Sequence, residues 1–270
     1  MSKSMPTELV QRVVTATFLI PIVLYAVFLG GWVFSAMVVI AVILMANEWE
    51  QVTGGERFGH HALLNMFAGI MALSLGSIIS VEYVLAFIVA ISLLSGCFPR
   101  RDGSYSIWPC IGVILIIVPA LCLVWLRALN TGMLIILWLF LVLWASDSGA
   151  YFVGRTFGKK RLVPRISPGK TWAGLYGGTA AGAIIGVSIA AIVHDFSMLR
   201  AVLLSILISL VGQGGDLAIS AVKRHFDVKD MGTMIPGHGG VLDRLDSLLF
   251  GAMVIGIITF AYGGSMPLWP

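Results

Sequence analysis

Charged side chains are scarce in this 270-residue chain: 11% of the residues are Asp, Glu, Lys or Arg, whereas 59% are hydrophobic. In an ordinary soluble domain about a quarter of the residues are charged. The low share of charged residues and the mean hydropathy of +0.98 together exclude such a domain. Strict alternation of apolar and polar residues is also absent, so strands of a membrane barrel are not expected. The sequence therefore predicts an all-α, polytopic membrane protein.

Other absences narrow this prediction. The 3 cysteines, Cys97, Cys110 and Cys122, lie in apolar segments without metal-ligand spacing, so we interpret them as packed thiols. No small-x-small cleavage pattern follows the first apolar run, so this run is expected to be a retained helix and not a signal peptide. No linker divides the chain, so we expect one integral membrane domain over 1–270, with hydrophobic helices in 1–135 and catalytic helices and cytoplasmic loops in 136–270.

Several apolar runs approach the length needed to cross a bilayer, and nine helices are expected. The runs are Val13–Leu29, Trp32–Ala46, Ala62–Ile79, Val84–Phe98, Ile107–Leu126, Met133–Val153, Ala173–Val193, Ala201–Val222 and Leu245–Tyr262. With a cytoplasmic N-terminus, all but Arg127 and Arg200 of the 17 Lys and Arg residues fall on the inner side, which is the usual bias of membrane proteins. We therefore expect a multi-pass protein of the cell inner (plasma) membrane, and we attribute its net charge to topology and anionic lipid, with no nucleic-acid partner.

Two aspartates lie inside predicted membrane helices: Asp147 in the sixth run and Asp216 in the eighth. Each precedes the inner end of its run by six residues, so at 1.5 Å per residue both lie roughly 9 Å from the boundary. An unpaired carboxylate at that depth costs several kcal/mol, so a partner or an ion is expected. The alternative, in which each is protonated or paired with a neighbouring Ser or Tyr, stays open from these residues.

Helical spacing groups further polar residues with these two. Ser220 and Lys223 follow Asp216 by four and seven positions and therefore share its helix face, and Asp243 and Asp246 are three positions apart at the entry to the ninth helix. Together with the aspartate of the sixth run, four acidic side chains can converge near the inner boundary. Carboxylates without His or Cys are typical ligands of Mg²⁺.

Two cytoplasmic loops carry residues suited to anions. In the loop between the eighth and ninth runs, glycines surround His238, and their backbone N–H groups can cradle an anion. The loop before the seventh run contains Ser167, Lys170 and Thr171, but Pro164 stands where a Walker A motif has its first glycine, and no strand is expected before it. We therefore exclude a Walker A site, while a lysine and hydroxyls at a helix N-terminus still favour a triphosphate contact.

Two patterns are interpreted as structural. Glycines recur every four residues along one face of the seventh run, which permits close packing within the bundle or at a dimer contact. They are Gly174, Gly178, Gly182 and Gly186. The charged segment after the second run is expected to be a solvated turn. It contains Glu48, Glu50, Glu56, Arg57, His60 and His61.

The segment from Ser220 to Asp246 resembles the signature of the phosphatidate cytidylyltransferases (CDP-diacylglycerol synthases). The matching residues are Ser220, Lys223, Arg224, Lys229, Asp230, Gly232, Pro236, His238, Gly239, Gly240, Asp243, Arg244 and Asp246, at the spacing of that family. The Ser167–Thr171 segment, Asp147, the chain length and the helix count fit the same family. Ala173 departs from it, since many members have an acidic or amide residue there.

The resemblance implies transfer of the cytidylyl group of CTP to phosphatidic acid, which gives CDP-diacylglycerol and pyrophosphate. It also implies a Mg²⁺ site in which Asp216, Asp243 and Asp246 are nearest the metal with Lys223 beside them, and we add Asp147 because of its depth. The expected substrate contacts are Ser167, Lys170, Thr171, Ser220, Arg224, Lys229, His238 and Arg244. Potassium as a second cation, a nine-helix fold and a homodimer are further implications of the resemblance.

Two other classes of protein compete with this hypothesis. An ion-coupled membrane transporter would use Asp147 and Asp216 as a proton or cation relay, but it leaves the long Lys/Gly/His/Asp loop unexplained. Another membrane-bound nucleotidyl or phospho-alcohol transferase would typically carry a D-G-x2-A-R pattern, which the sequence lacks. Incorporation of labelled CTP into lipid would separate the three classes.

Overall fold

The structure is a computed structural model that describes residues 5–76, 78–100, 102–193, 197–235 and 239–268, with backbone alone at 5–14 and 16. Within these residues the chain forms nine α-helices and two short strands. The helices are α1 (Met5–Leu29), α2 (Gly31–Thr53), α3 (His60–Leu75), α4 (Val81–Cys97), α5 (Trp108–Ala128), α6 (Gly132–Phe157), α7 (Trp172–Ile192), α8 (Met198–His225) and α9 (Leu242–Ala261). The strands are β1 (Arg161–Val163) and β2 (Ser167–Thr171).

Helix length and composition confirm a polytopic membrane protein. Among the described residues, six helices are long and apolar enough to cross a membrane, namely α2 and α5 to α9. Helices α3 and α4 and the apolar part of α1, Thr17–Leu29, are shorter. Nine crossings and a cytoplasmic N-terminus therefore stay predictions. Helix α2 corrects the predicted second run, because it continues seven residues past Ala46 to Thr53.

The described chain forms two compact units, of which the first combines Met1–Ala128 with Phe226–Leu245. In this unit α2 packs against α1, α3 and α5, and α4 packs against α3 and α5. Its buried side chains include Phe34, Trp49 and Ile117. The indole N–H of Trp49 donates a hydrogen bond of 2.9 Å to the carbonyl of Trp108, which fixes the start of α5 against α2.

The segment between α8 and α9 folds with the first unit. The ring of Phe226 meets the ring of Trp108 edge-on, with 5.1 Å between the ring centroids. Further along, the amide of Ile235 donates a hydrogen bond of 2.9 Å to the carbonyl of Gly239. Gly239 has a φ of +84°, a conformation that glycine adopts without a steric penalty. The segment is therefore held at its Phe226 end against Trp108, the first residue of α5.

The second unit combines Leu129–His225 with Asp246–Pro270. Here α6, α7 and α8 pack against one another, and the glycine face of α7 is buried in these contacts. A Cβ at Gly178 would lie 2.6 Å from the carbonyl oxygen of Ser146 on α6, and one at Gly182 would overlap the hydroxyl of Ser209 on α8. The prediction of close packing inside the bundle is confirmed.

Strands β1 and β2 form an antiparallel hairpin in the second unit that sequence analysis did not predict. Arg161 pairs with Thr171, and Val163 pairs with Ser167. The hydroxyl of Thr171 then caps α7 by accepting the amide of Gly174 at 3.0 Å. A strand does precede the Gly-Lys-Thr sequence, contrary to expectation. The Walker A exclusion still holds, because these residues belong to a strand and not to a phosphate-binding loop.

Candidate active site

A lysine–aspartate pair joins the hairpin to α8 in the second unit. The Nζ of Lys170 lies 2.7 Å from the Oδ2 of Asp216 and donates to the carbonyl of Gln213 at 3.0 Å. The two side chains are 22% and 36% exposed, so a ligand can reach both. The hydroxyl of Ser220 lies 3.3 Å from the Oδ1 of Asp216. The shared face of Asp216 and Ser220 is confirmed, and the predicted triphosphate lysine lies beside it.

Two further aspartates of the second unit are within electrostatic range of Asp216. Asp147 on α6 interacts with Asp216 and Lys170. Asp246 on α9 interacts with Asp216, Asp147 and Lys223. Asp246 is 7% exposed, and its Oδ1 accepts the amide of Ser247 at 2.7 Å. Three of the four acidic residues predicted to converge therefore lie close enough to influence one another electrostatically, and the same holds for Lys170 and Lys223.

Asp147 and Asp216 lie at similar distances from the C-terminal ends of their helices, and their depth in a membrane stays a prediction. Asp147 lies ten residues before Phe157, the last residue of α6, and Asp216 lies nine residues before His225, the last residue of α8. Both helices continue past their predicted ends, so each aspartate lies further than six residues from its helix terminus. Neighbouring carboxylates in an apolar helix bundle repel one another, which favours a bound cation.

The donor set fits Mg²⁺ as an ion shared with a substrate. It consists of carboxylate oxygens, which this hard cation prefers. In the described part of the chain, no group of three or more His, Cys, Asp and Glu side chains is arranged to hold a metal ion alone. Mg²⁺ usually takes one or two carboxylates and completes its shell with water and substrate phosphate. Asp216 with Asp147 or Asp246 fits that pattern, and the cofactor stays a prediction.

Asp243 lies in the first unit, and its side chain accepts hydrogen bonds from two backbone amides. Its Oδ2 accepts the amide of Met231 at 2.8 Å and the amide of Gly240 at 3.1 Å. A Cβ added at Gly239 would lie 3.3 Å from the same oxygen, so glycine allows the chain to pass closely. Asp243 thus shapes the α8–α9 segment. Its role as a metal ligand, which the family resemblance implies, stays a prediction.

Glu48 corrects the expectation of a solvated turn after the second run. Both Glu48 and Glu50 belong to α2, and they are 0% and 2% exposed, respectively. The two carboxylate oxygens of Glu48 accept the amides of Val241 at 2.8 Å and Leu242 at 2.9 Å. His61 is also buried. Sequence analysis missed Glu48 because the hydropathy of the run falls at Ala46 although the helix continues.

Gln213 is a second polar residue that sequence analysis missed. Its side chain is buried, and its Nε2 lies 3.3 Å from the hydroxyl of Ser146 on α6. Its own carbonyl accepts Lys170. Gln213 therefore ties α6 to α8 beside the lysine–aspartate pair. The available signal was an amide side chain in an apolar helix three residues before Asp216.

The remaining predicted contacts of the second unit lie on the hairpin and at the end of α8. Ser167 and Thr171 are half-buried and buried, respectively, in β2. Arg224 is exposed, and its Nε donates to the carbonyl of Ile166 at 3.3 Å. This bond fastens the hairpin to α8, so Arg224 has a structural partner besides its predicted role.

Two predicted contacts of the first unit are exposed to solvent. They are Lys229 in the α8–α9 segment and Arg244 near the start of α9. His238 lies outside the described residues. Both exposed cations remain accessible to an anionic ligand, and their role in binding stays a prediction.

The fold and the polar residues define a class: a polytopic helical membrane protein in which carboxylates and lysines meet inside a helix bundle. Residues 10–262 match the cytidylyltransferase family. The chain is 35% identical to the phosphatidate cytidylyltransferase of Brucella suis biovar 1 over 255 residues, 92% of each chain. It is 35% identical to that of Pseudomonas aeruginosa over 272 residues, 95% of this chain and 99% of the other.

A shorter match is stronger in identity: 120 residues are 44% identical to the phosphatidate cytidylyltransferase of Bacillus subtilis, over 44% of this chain and 45% of that one. The family match spans most of the chain. The chain belongs to the cytidylyltransferase family, and the resemblance found in the signature is confirmed.

Proposed function

We propose that the protein transfers the cytidylyl group of CTP to phosphatidic acid, yielding CDP-diacylglycerol and pyrophosphate. The observation that carries this proposal is the match to the cytidylyltransferase family over residues 10–262. In addition, relatives named phosphatidate cytidylyltransferase align with this chain over more than nine-tenths of their length. The signature from Ser220 to Asp246 lies inside this match. No observation favours the transporter alternative.

The reaction is a displacement at phosphorus. A phosphate oxygen of phosphatidic acid attacks the α-phosphorus of CTP, a new P–O–P linkage forms, and the bond to the β-phosphate breaks. Pyrophosphate leaves with that electron pair. The attacking phosphomonoester has a second pKa of about 6 and is already largely ionised near neutral pH, so no general base is required.

Electrostatics is the main requirement, because two polyanions must approach one another. Lys170 offers an ammonium that is partly exposed and held by Asp216, and Lys223 lies within range of Asp246. These cations neutralise charge on the triphosphate and on the pyrophosphate that leaves. Arg244, which is exposed, contributes to the same task in this proposal.

Magnesium would be held by Asp216 and Asp246, with Asp147 and Asp243 as further carboxylates. When bound, Mg²⁺ supplies positive charge that screens the carboxylates and the triphosphate from one another. Potassium is proposed as the second cation, on the family resemblance. In this proposal the positions of the aspartate carboxylates determine where the cations bind.

The cell inner (plasma) membrane is the proposed location, with the site facing the cytoplasm. CTP is a cytosolic nucleotide, and the cation asymmetry of the loops favours the same side. A homodimer is proposed from the family resemblance.

Two labelled nucleotides test the proposal on purified full-length protein in vesicles that contain phosphatidic acid. We expect label from [α-³²P]CTP in the organic phase, and label from [γ-³²P]CTP in aqueous pyrophosphate alone. Omission of phosphatidic acid is the control and should abolish both. Transfer of the γ-label to lipid would indicate a kinase, and the absence of lipid-bound α-label would refute the proposal.

A further inference from the structure

We propose that Glu48 of α2 is a positioning residue for the reaction, acting on the start of α9 and on Asp243 through backbone hydrogen bonds. The inference rests on the proposed function, and it assigns a role to a residue outside the signature. All the residues that carry it lie in the first unit.

The carboxylate of Glu48 caps α9 from another helix. Its Oε1 accepts the amide of Val241 at 2.8 Å, and its Oε2 accepts the amide of Leu242, the first residue of α9, at 2.9 Å. The first amides of a helix have no partner within the helix, and Val241 has no side-chain oxygen with which to cap them. A negative charge at this end is also stabilised by the helix dipole.

Two glycines of the α8–α9 segment lie so near this carboxylate that a side chain at either position would collide with it. A Cβ at Gly232 would lie 2.6 Å from the Oε1 of Glu48, and a Cβ at Gly240 would lie 2.7 Å from its Oε2. Gly232 is not among the glycines with a positive φ, so its requirement comes from this contact and not from its backbone conformation. Gly232 and Gly240 of the signature therefore leave room for Glu48, which lies 184 and 192 positions before them in the sequence.

The same stretch of backbone connects Glu48 to Asp243. Three consecutive amides are held by the two carboxylates: Gly240 by Asp243, and Val241 and Leu242 by Glu48. Displacement of Glu48 therefore loosens the residues that Asp243 holds. The position of this backbone, and with it that of Asp243, therefore depends on Glu48, which accepts the amides of Val241 and Leu242.

Glu48→Gln is the central variant, because glutamine keeps the size of the side chain but has one accepting oxygen. Its amide nitrogen would face a backbone N–H, so one of the two hydrogen bonds is lost. Glu50→Gln is the matched control: Glu50 lies on the same helix and is as deeply buried, yet it is not the acceptor of the α9 amides. Gly232→Ala is a second variant, because its Cβ would lie 2.6 Å from the Oε1 of the same carboxylate.

The measurements are cytidylyl transfer, thermal unfolding and hydrogen exchange at residues 240–242, on full-length protein in the same vesicles or detergent. We expect Glu48→Gln and Gly232→Ala to lower kcat/KM for CTP at least about tenfold, with faster exchange at 241 and 242 and a melting temperature close to that of Glu50→Gln. Glu50→Gln should retain wild-type transfer and exchange.

Wild-type transfer by Glu48→Gln would overturn the inference, and so would an equal loss in Glu50→Gln, since any buried carboxylate would then suffice. A loss that follows unfolding alone, without local change in exchange, also refutes a positioning role. If wild-type protein transfers no cytidylyl group, the proposed function fails and the inference fails with it. An active wild type with an active Glu48→Gln variant refutes the inference alone.

Discussion

The glycine face of α7 allows a packing prediction in which two similar pairs should behave differently. A Cβ at Gly182 would overlap the hydroxyl of Ser209 and would lie 3.3 Å from the Cβ of Ser209. A Cβ at Gly186 would overlap the hydroxyl of Ser205, but it would also lie only 2.7 Å from the Cβ of Ser205. At Gly182 the overlap is with the hydroxyl oxygen of Ser209, which a serine-to-alanine substitution removes. At Gly186 the close contact also includes the Cβ of Ser205, which alanine retains.

The expected magnitudes follow from these contacts. Overpacking a close-packed interior costs about 1–3 kcal/mol, and replacing a helical glycine by alanine returns up to about 1 kcal/mol. We therefore expect Gly182→Ala and Gly186→Ala each to lower the free energy of unfolding by roughly 1–2 kcal/mol. Neither serine hydroxyl has a hydrogen-bond partner among the described residues, so Ser209→Ala and Ser205→Ala alone should change it by less than about 0.5 kcal/mol.

The double variants test whether the serine hydroxyl alone causes the loss of stability. In Gly182→Ala with Ser209→Ala, the nearest remaining contact to Ser209 is 3.3 Å, so most of the lost stability should return. In Gly186→Ala with Ser205→Ala, the 2.7 Å contact persists, so little should return. Tryptophan fluorescence during thermal unfolding of full-length protein in detergent measures both, with cytidylyl transfer as a second readout. Equal rescue of the two pairs, or a fully stable Gly182→Ala, would refute the reasoning.

Three further predictions concern the site and its orientation. Asp147→Asn should lower turnover at least about tenfold, equivalent to about 1.4 kcal/mol of transition-state stabilisation; full activity of folded variant protein would make Asp147 structural. Asp216→Asn and Asp246→Asn should raise the Mg²⁺ concentration for half-maximal transfer, whereas unchanged Mg²⁺ dependence with loss of one limb of the pH profile would indicate acid–base groups. In a cysteine-free background, a membrane-impermeant thiol reagent outside spheroplasts should label Ser265→Cys and spare Lys160→Cys, and the reverse pattern would invert the proposed topology.

Local periodicity explains what the sequence predicted well. The face shared by Asp216 and Ser220 is fixed by the 3.6-residue helical repeat, and the hydrogen bond between them follows from it. The glycine row of α7 is a pattern of the same kind. Both depend on residues of one helix, whose geometry does not depend on the rest of the chain.

Contacts between distant segments explain what the sequence did not show. Glu48 and Leu242 are 194 positions apart, and nothing in either segment alone indicates that one caps the other. Hydropathy also misplaces helix ends, because a charged residue lowers the average although the helix continues, as α2 does through Glu48 and Glu50. The β1–β2 hairpin is too short, at three and five residues, to produce an alternating pattern.

Asp243, Glu48 and Asp216 all carry carboxylates, but the three differ in the partners that they hold. Asp243 accepts two backbone amides, and Glu48 accepts two more; these partners cannot leave unless the segment unfolds. Asp216 instead contacts a lysine ammonium and a serine hydroxyl, and the long stem of Lys170 allows its ammonium to move to another anion. A cation that approaches Asp216 therefore displaces a side chain, whereas one that takes the Oδ2 of Asp243 must also displace backbone. This difference ranks Asp216 ahead of Asp243 as the carboxylate whose partner can change when polyanionic substrate arrives.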